Sequence, residues 1–156
     1  MKIFGKSVGE YITFQRIILV LVIVVGLLRL FLSLARIPDS TVRWASVTTL
    51  MIIGAIYYGI RVHTSGFGSY KHLLPLLFIQ SLVTQLVIIS GIVVGIVTGK
   101  DNIYTARDFA GPFAEGKSLM HILGHLSVGL FLFTIFYFLI GALTMLITKL
   151  VYRRSS

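Results

Sequence analysis

The chain has 156 residues, 56% of them hydrophobic and only 12% charged, and its mean hydropathy is +0.96. Soluble domains carry about twice that share of charge, so this is a membrane composition, long enough for four spans with short loops but not for a separate soluble catalytic domain. The lack of cysteine excludes disulfides, CxxC redox pairs, iron–sulfur clusters and thiolate nucleophiles, and in so apolar a chain the net charge of +9 reads as basic residues flanking spans beside anionic lipid head groups, not as a nucleic-acid footprint.

Residues 1–16 mix Lys2, Lys6, Glu10 and Arg16 with Ile3, Phe4, Val8, Tyr11 and Ile12. The apolar set falls loosely on one face, which predicts a short amphipathic helix lying in the membrane interface. Next comes an apolar run from Ile17 to Leu28, broken by Arg29 and resumed to Ala35. Alone it has the length of a signal-peptide core, with Ser33-Leu34-Ala35 as a small-x-small site, but Arg29 interrupts that pattern. The reading is an uncleaved first span over residues 12–34. Pro38 then biases Ile37 away from helix, and Asp39, Ser40 or Thr41 can cap the next helix.

Arg43 and Trp44 mark an interface, and a second span over 44–62 ends in an aromatic belt, Tyr57-Tyr58, with Arg61 as its cationic anchor. A short loop with Gly66 and Gly68 leads to a third span over 73–97, with Pro75 in its first turn. On the wheel of that span Gln80, Thr84, Gly91 and Gly95 fall within about 60° of one another. Gly91-x-x-x-Gly95-x-x-x-Gly99 is a doubled small-residue motif, which predicts close approach of another helix, in the bundle or from a second copy. The loop over 99–117 holds Lys100, Asp101, Arg107, Asp108, Glu115 and Lys117, and Tyr104, Phe109 and Phe113 are apolar enough to fold back onto the bundle. The fourth span, 119–148, lies within an uncharged stretch of 31 residues between Lys117 and Lys149.

Several chemistries are excluded. No Asp or Glu lies deep in a span, so the usual carboxylate of an ion-coupled transporter is missing. The Gly95–Lys100 run ends in Gly-Lys but closes a membrane span and is no phosphate loop. No Ser/His/Asp triad has a recognisable order or context. Arg29, the one charge inside a span, reads as a cation snorkelling to the interface or as an anion or lipid-phosphate contact. Gln85, near the middle of the third span, reads as a hydrogen bond across helices or as the wall of a small polar cavity.

The four histidines sort by alternation of spans. His63 and His72 flank the loop between spans two and three; His121 and His125 begin span four on the other side. A haem held by His72 and His121 would have to bridge roughly 30 Å. His121 and His125 share a helix face and could hold a divalent metal, with Asp108 and Glu115, or Asp101, supplying further ligands, or either could be the axial ligand of a tetrapyrrole. No cofactor is required by the sequence. With His121 at zero and His125 at about 40°, Thr134, Tyr137, Gly141, Thr144 and Thr148 fall at roughly 140–220°. If that second stripe faces the bundle interior, the histidines point away from it and sit in the interfacial layer.

These readings converge on an all-α integral membrane protein, a single domain over 1–156 built as a four-transmembrane-helix bundle in up-down-up-down order. The expected function is a non-enzymatic accessory or scaffold subunit of a membrane assembly, partnered by lipid and by other membrane subunits or itself, and not by nucleic acid. The alternatives are a tetrapyrrole- or metal-binding subunit using His121 and His125 in electron transfer or light capture, and a small channel or transporter with a cavity lined by Gln80, Thr84, Gln85 and Arg29. The expected location is a bacterial inner membrane with both termini cytoplasmic.

Overall fold

The computed structural model describes residues 2–106 and 116–154. Four of its helices are long and apolar enough to cross a membrane, and the described chain outside them is short. One end of the bundle carries both termini and is called the terminal end; the other carries the 99–117 segment and is called the loop end.

The chain begins not as an interfacial helix but as a tight hairpin, strand β1 (Lys2–Ile3) antiparallel to β2 (Lys6–Ser7), with Ile3 opposite Lys6. Its two turn residues, Phe4 and Gly5, have φ of 52° and 89°, the left-handed pair that a two-residue hairpin demands. Ser7 then starts helix α1 (Val8–Leu34) with a capping box. Glu10 N–H donates to the Ser7 hydroxyl (3.2 Å) and Ser7 N–H donates to the Glu10 carboxylate (2.7 Å). The box fixes the helix start four residues earlier than hydropathy alone indicates.

The turn after α1 contains Arg36 at φ 61° and a one-turn helix α2 (Asp39–Val42). Helix α3 (Val47–Thr64) is capped by Ser46, whose hydroxyl accepts from Thr49 N–H at 3.2 Å. Helix α4 (Tyr70–Thr98) starts three residues before expectation, so Pro75 falls in its second turn. Ser69 N–H donates to His72 Nδ1 at 3.0 Å, so the ring proton sits on Nε2 and is donated to the Phe4 carbonyl at 3.2 Å. Tyr11 donates its hydroxyl to the Ile3 carbonyl at 2.9 Å. His72 and Tyr11 thus latch the hairpin over the terminal end.

The last span is three pieces: α5 (Leu119–Gly124), a π-helical turn (His125–Gly129) and α6 (Leu130–Arg154). Helices α3 and α6 pack closely through glycines. A Cβ at Gly59 would meet the Gly141 carbonyl at 2.5 Å, and one at Gly141 would meet the Ala55 carbonyl at 3.2 Å. In lipid, such close backbone approach replaces the hydrophobic effect as the association force. The main core lies around Val22, Met51, Ala55, Tyr58, Leu76 and Tyr137.

The first two glycines of the doubled motif face the chain's own 100–105 segment. Cβ atoms at Gly91 and Gly95 would collide with Tyr104 and Thr105. The segment after α4 folds back into the bundle: Asn102 Nδ2 donates to the Gly91 carbonyl at 2.9 Å, Ile103 N–H to Ser33 Oγ at 2.8 Å, and the Tyr104 hydroxyl to the Gly26 carbonyl at 2.9 Å. Gly99, at φ +69°, is the left-handed cap of α4 and not a packing residue. Tyr104 folds back as expected; Phe109 and Phe113 lie outside the described residues.

Candidate functional site

The fourth span positions the site because it is not a plain α-helix. A π-turn adds one residue to a helix and rotates everything after it by about 100° relative to the residues before it. On the helical wheel, that moves the group from Thr134 to Thr148 from roughly 140–220° back to roughly 40–120°, beside the histidines at 0–40°. The stripe does face inward, with Thr134 and Tyr137 buried. The histidines therefore face inward too, which corrects the expectation that they point out into the interfacial layer. His121 is 4% exposed, and His125 is half-buried against mid-span Gln85.

A hydrogen-bonded file runs from the loop into the bundle. His121 Nδ1 lies 2.9 Å from the Gly116 carbonyl, His121 Nε2 lies 3.1 Å from His125 Nε2, and His125 Nδ1 lies 2.6 Å from Gln85 Oε1. The Gly116 carbonyl can only accept, so His121 Nδ1 carries a proton. With the Gln85 oxygen facing His125, Nδ1 of that ring carries one also, and the contact between the rings needs a third. Three protons on four ring nitrogens make the pair an imidazole–imidazolium with one positive charge. With the Gln85 amide turned over, its NH₂ donates to His125 Nδ1, two ring protons suffice and the pair is neutral. The orientation of one amide and the charge of the pair are therefore the same variable.

Gln85 and His125 wall a cavity of about 170 Å³. Every span contributes: Arg29 from α1, Thr48 and Met51 from α3, Thr84 and Gln85 from α4, and His125, Phe133 and Tyr137 from the fourth. Tyr104 lines it on the side of the loop end, its ring 5.6 Å from the Arg29 guanidinium. Burial pushes the Tyr104 phenol up to about 12, against the opposing effect of Arg29, so it stays a neutral hydrogen-bond donor. Arg29 is 8% exposed and turned into the bundle, which corrects the snorkelling reading.

The other expected site residues are dispersed. Gln80 lies one turn towards the terminal end, its amide against Gly54 and 3.4 Å from the Leu50 carbonyl, and does not line the cavity. Thr84 lies 2.9 Å from both the Gln80 carbonyl and Met51 Sδ, so these two polar residues do pack α4 on α3. Among the described residues no three His, Asp or Glu side chains gather to hold a metal; Asp101 is exposed and paired with Lys117 at 3.0 Å. Asp108 and Glu115 lie outside the described residues. Of the two histidines expected as axial ligands, His125 lines the cavity and His121 does not. Comparison with protein-family models, with curated proteins and with solved structures finds no match to this chain.

Proposed function

We propose that this protein binds a small polar solute between its four spans and belongs with the small channels and carriers. The cavity is the observation that supports this. It joins hydrogen-bonding groups from all four helices, in a membrane interior where a polar wall is costly to build and is kept for a purpose. Its size admits a molecule of fewer than about ten heavy atoms. One wall is hydrogen-bonding, through Arg29, Thr48, Gln85 and His125, and the other is apolar, through Ile88, Ile103 and Phe133. That combination fits a neutral or singly anionic solute with a short apolar body.

Of the features behind the accessory-subunit reading, the glycine stripe is occupied within the bundle by the chain's own Tyr104 segment. We place the terminal end in the cytoplasm. It gathers Lys2, Lys6, Arg16, Arg61, Lys71, Lys149, Arg153 and Arg154, eight basic residues against the six at the loop end, and the Lys/Arg bias sets orientation. Reporter fusions at Ser156 and within the 99–117 segment decide this; an external C-terminus reverses it. The binding proposal is tested with Met51→Phe, which fills the cavity with apolar volume. Small amides, alcohols and monocarboxylates are screened for a rise in the thermal stability of purified protein. We expect a subset to stabilise the parent and to have no effect on Met51→Phe. A panel that stabilises neither, or both equally, overturns the reading.

A further inference from the structure

A second group of polar side chains lies deeper, towards the terminal end. Gln15, Tyr58, Gln80 and Ser81 are each at most 1% exposed. Both amide atoms of Gln15, the Tyr58 hydroxyl, the Ser81 hydroxyl and the Gln80 amide oxygen have no hydrogen-bond partner in the protein. Buried polar groups are ordinarily satisfied, and between lipid-facing helices no bulk solvent reaches them, so five orphaned atoms in one bundle call for a common explanation.

The helix registers bring them to neighbouring levels. Tyr11 packs on His72 and Gly26 on Val87, so each α1 residue stands opposite the α4 residue 61 positions later. Gln15 is then level with Leu76. Gly54 packs on Gln80 and Thr84 on Met51, which sets Tyr58 level with Leu76 also. Gln80 and Ser81 stand four and five residues above, about 6–7.5 Å at 1.5 Å per residue. Helical side chains lean towards their own N-terminus, so Tyr58 on descending α3 leans up while Gln80 and Ser81 on ascending α4 lean down, which closes that interval. One turn above Gln80 and Ser81 are Thr84 and Gln85, in the wall of the cavity. Leu76 and Leu77 stand level with Gln15 and Tyr58; below come Leu73, Val62 and Tyr11, all fully buried, and below them the latched hairpin.

We infer that this layer is a water site, and that it and the cavity form one hydrated half-channel, open from the loop-end side and sealed at the terminal end by the layer of Leu73, Val62 and Tyr11. The chemistry of the groups selects the occupant. They are neutral, and they offer donors and acceptors together: the amide NH₂ and two hydroxyls against two amide oxygens. Water satisfies such a set, whereas an ion meets no opposite formal charge there to replace its hydration. The inference rests on the proposal that the cavity is a working polar site, and it extends that site to within one apolar layer of the other face.

The chain contains no cysteine, so single cysteines report on their own surroundings. Thr84→Cys, Ser81→Cys and Leu73→Cys are reconstituted in vesicles, transferred to D₂O, and the S–H stretch followed by infrared spectroscopy. We expect the band to vanish in the first spectra for Thr84→Cys and Ser81→Cys and to persist for hours in Leu73→Cys. If Ser81→Cys keeps its band while Thr84→Cys loses it, the deeper layer is dry and the inference fails while the cavity stands. If both keep it, the cavity reading fails with it. If Leu73→Cys exchanges as fast as Ser81→Cys, there is no seal and the half-channel is wrong. Should Ser81→Cys not fold, Gln15→Cys takes its place with the same outcomes.

Discussion

Gly91→Ala isolates what the glycine stripe is for. In an ordinary exposed helix this change stabilises by up to ~1 kcal/mol, because alanine restricts the unfolded chain. Here the new methyl enters the ring of Tyr104. If the ring yields, the Tyr104–Gly26 hydrogen bond (2.9 Å) and the neighbouring Asn102–Gly91 bond (2.9 Å) go with it. Two hydrogen bonds at ~1 kcal/mol each and an overpacking cost of ~1–3 kcal/mol, less the propensity gain, leave a net loss of ~2–4 kcal/mol. The informative background is Tyr104→Ala, which removes the obstacle. There Gly91→Ala should change sign and stabilise by up to ~1 kcal/mol. Unfolding free energies from titration of lipid–detergent micelles with dodecyl sulfate give all four corners of the cycle. The same sign and size in both backgrounds would refute the reasoning, for the glycine would then serve a contact other than Tyr104, such as a second copy of the chain.

The same geometry sets three further outcomes. Gln85→Leu leaves His125 Nδ1 without its partner and should cost ~1–3 kcal/mol in the same titration, whereas Gln85→Glu, which always presents an oxygen, should hold the pair in its three-proton form; ¹⁵N spectra of labelled histidine count the protonated ring nitrogens, and a two-proton pair in Gln85→Glu contradicts the scheme. Deleting Val128, an exposed residue of the π-turn, removes the inserted residue and should give a regular helix that keeps Thr134 and Tyr137 facing the interior, so the bundle still folds; a variant without a cooperative circular-dichroism melt removes the turn from the argument. Ser7→Ala should cost ~1 kcal/mol and speed amide exchange over 8–11, and unchanged exchange there means the capping box is not what starts α1.

The four long apolar helices are legible in the sequence because a helix able to cross lipid needs a long uncharged run, which a hydropathy count detects directly. Their ends are less so. Hydropathy does not register Ser7 with Glu10, or Ser69 with His72, so both helices start before their apolar runs do. Of the site, the residue types stand out but not their grouping. Arg29, Thr84, Gln85 and His125 each draw notice alone; the cavity that joins them depends on a π-turn and on a loop that re-enters the bundle, and neither has a periodicity to read. Gly91 and Gly95 mark sites of close approach, but the spacing of glycines does not say what approaches. Tyr58 has the sequence context of an interfacial belt residue, although it is fully buried; on the wheel it falls one turn from Gly54 and Ala55, a signal that could have placed it inside.

The coupling of Gln85 to the histidines gives the cavity two chemical faces. An amide that presents its oxygen to His125 presents its NH₂ to whatever else it meets, and turning it over exchanges the two. In the charged state of the pair, with Gln85 Oε1 taken by His125 Nδ1, the amide offers the cavity a donor. In the neutral state it offers an acceptor. Arg29, Thr48 and Tyr104 do not change in the same step, so the difference between the two states falls on one atom position in the wall. The contacts run in one line from the Gly116 carbonyl through His121 and His125 to Gln85, so the proton count of the pair and the face that Gln85 turns to its surroundings are tied by geometry. On the proposal that the cavity binds a solute, one that needs a donor from Gln85 would go with the three-proton pair and one that needs an acceptor with the two-proton pair.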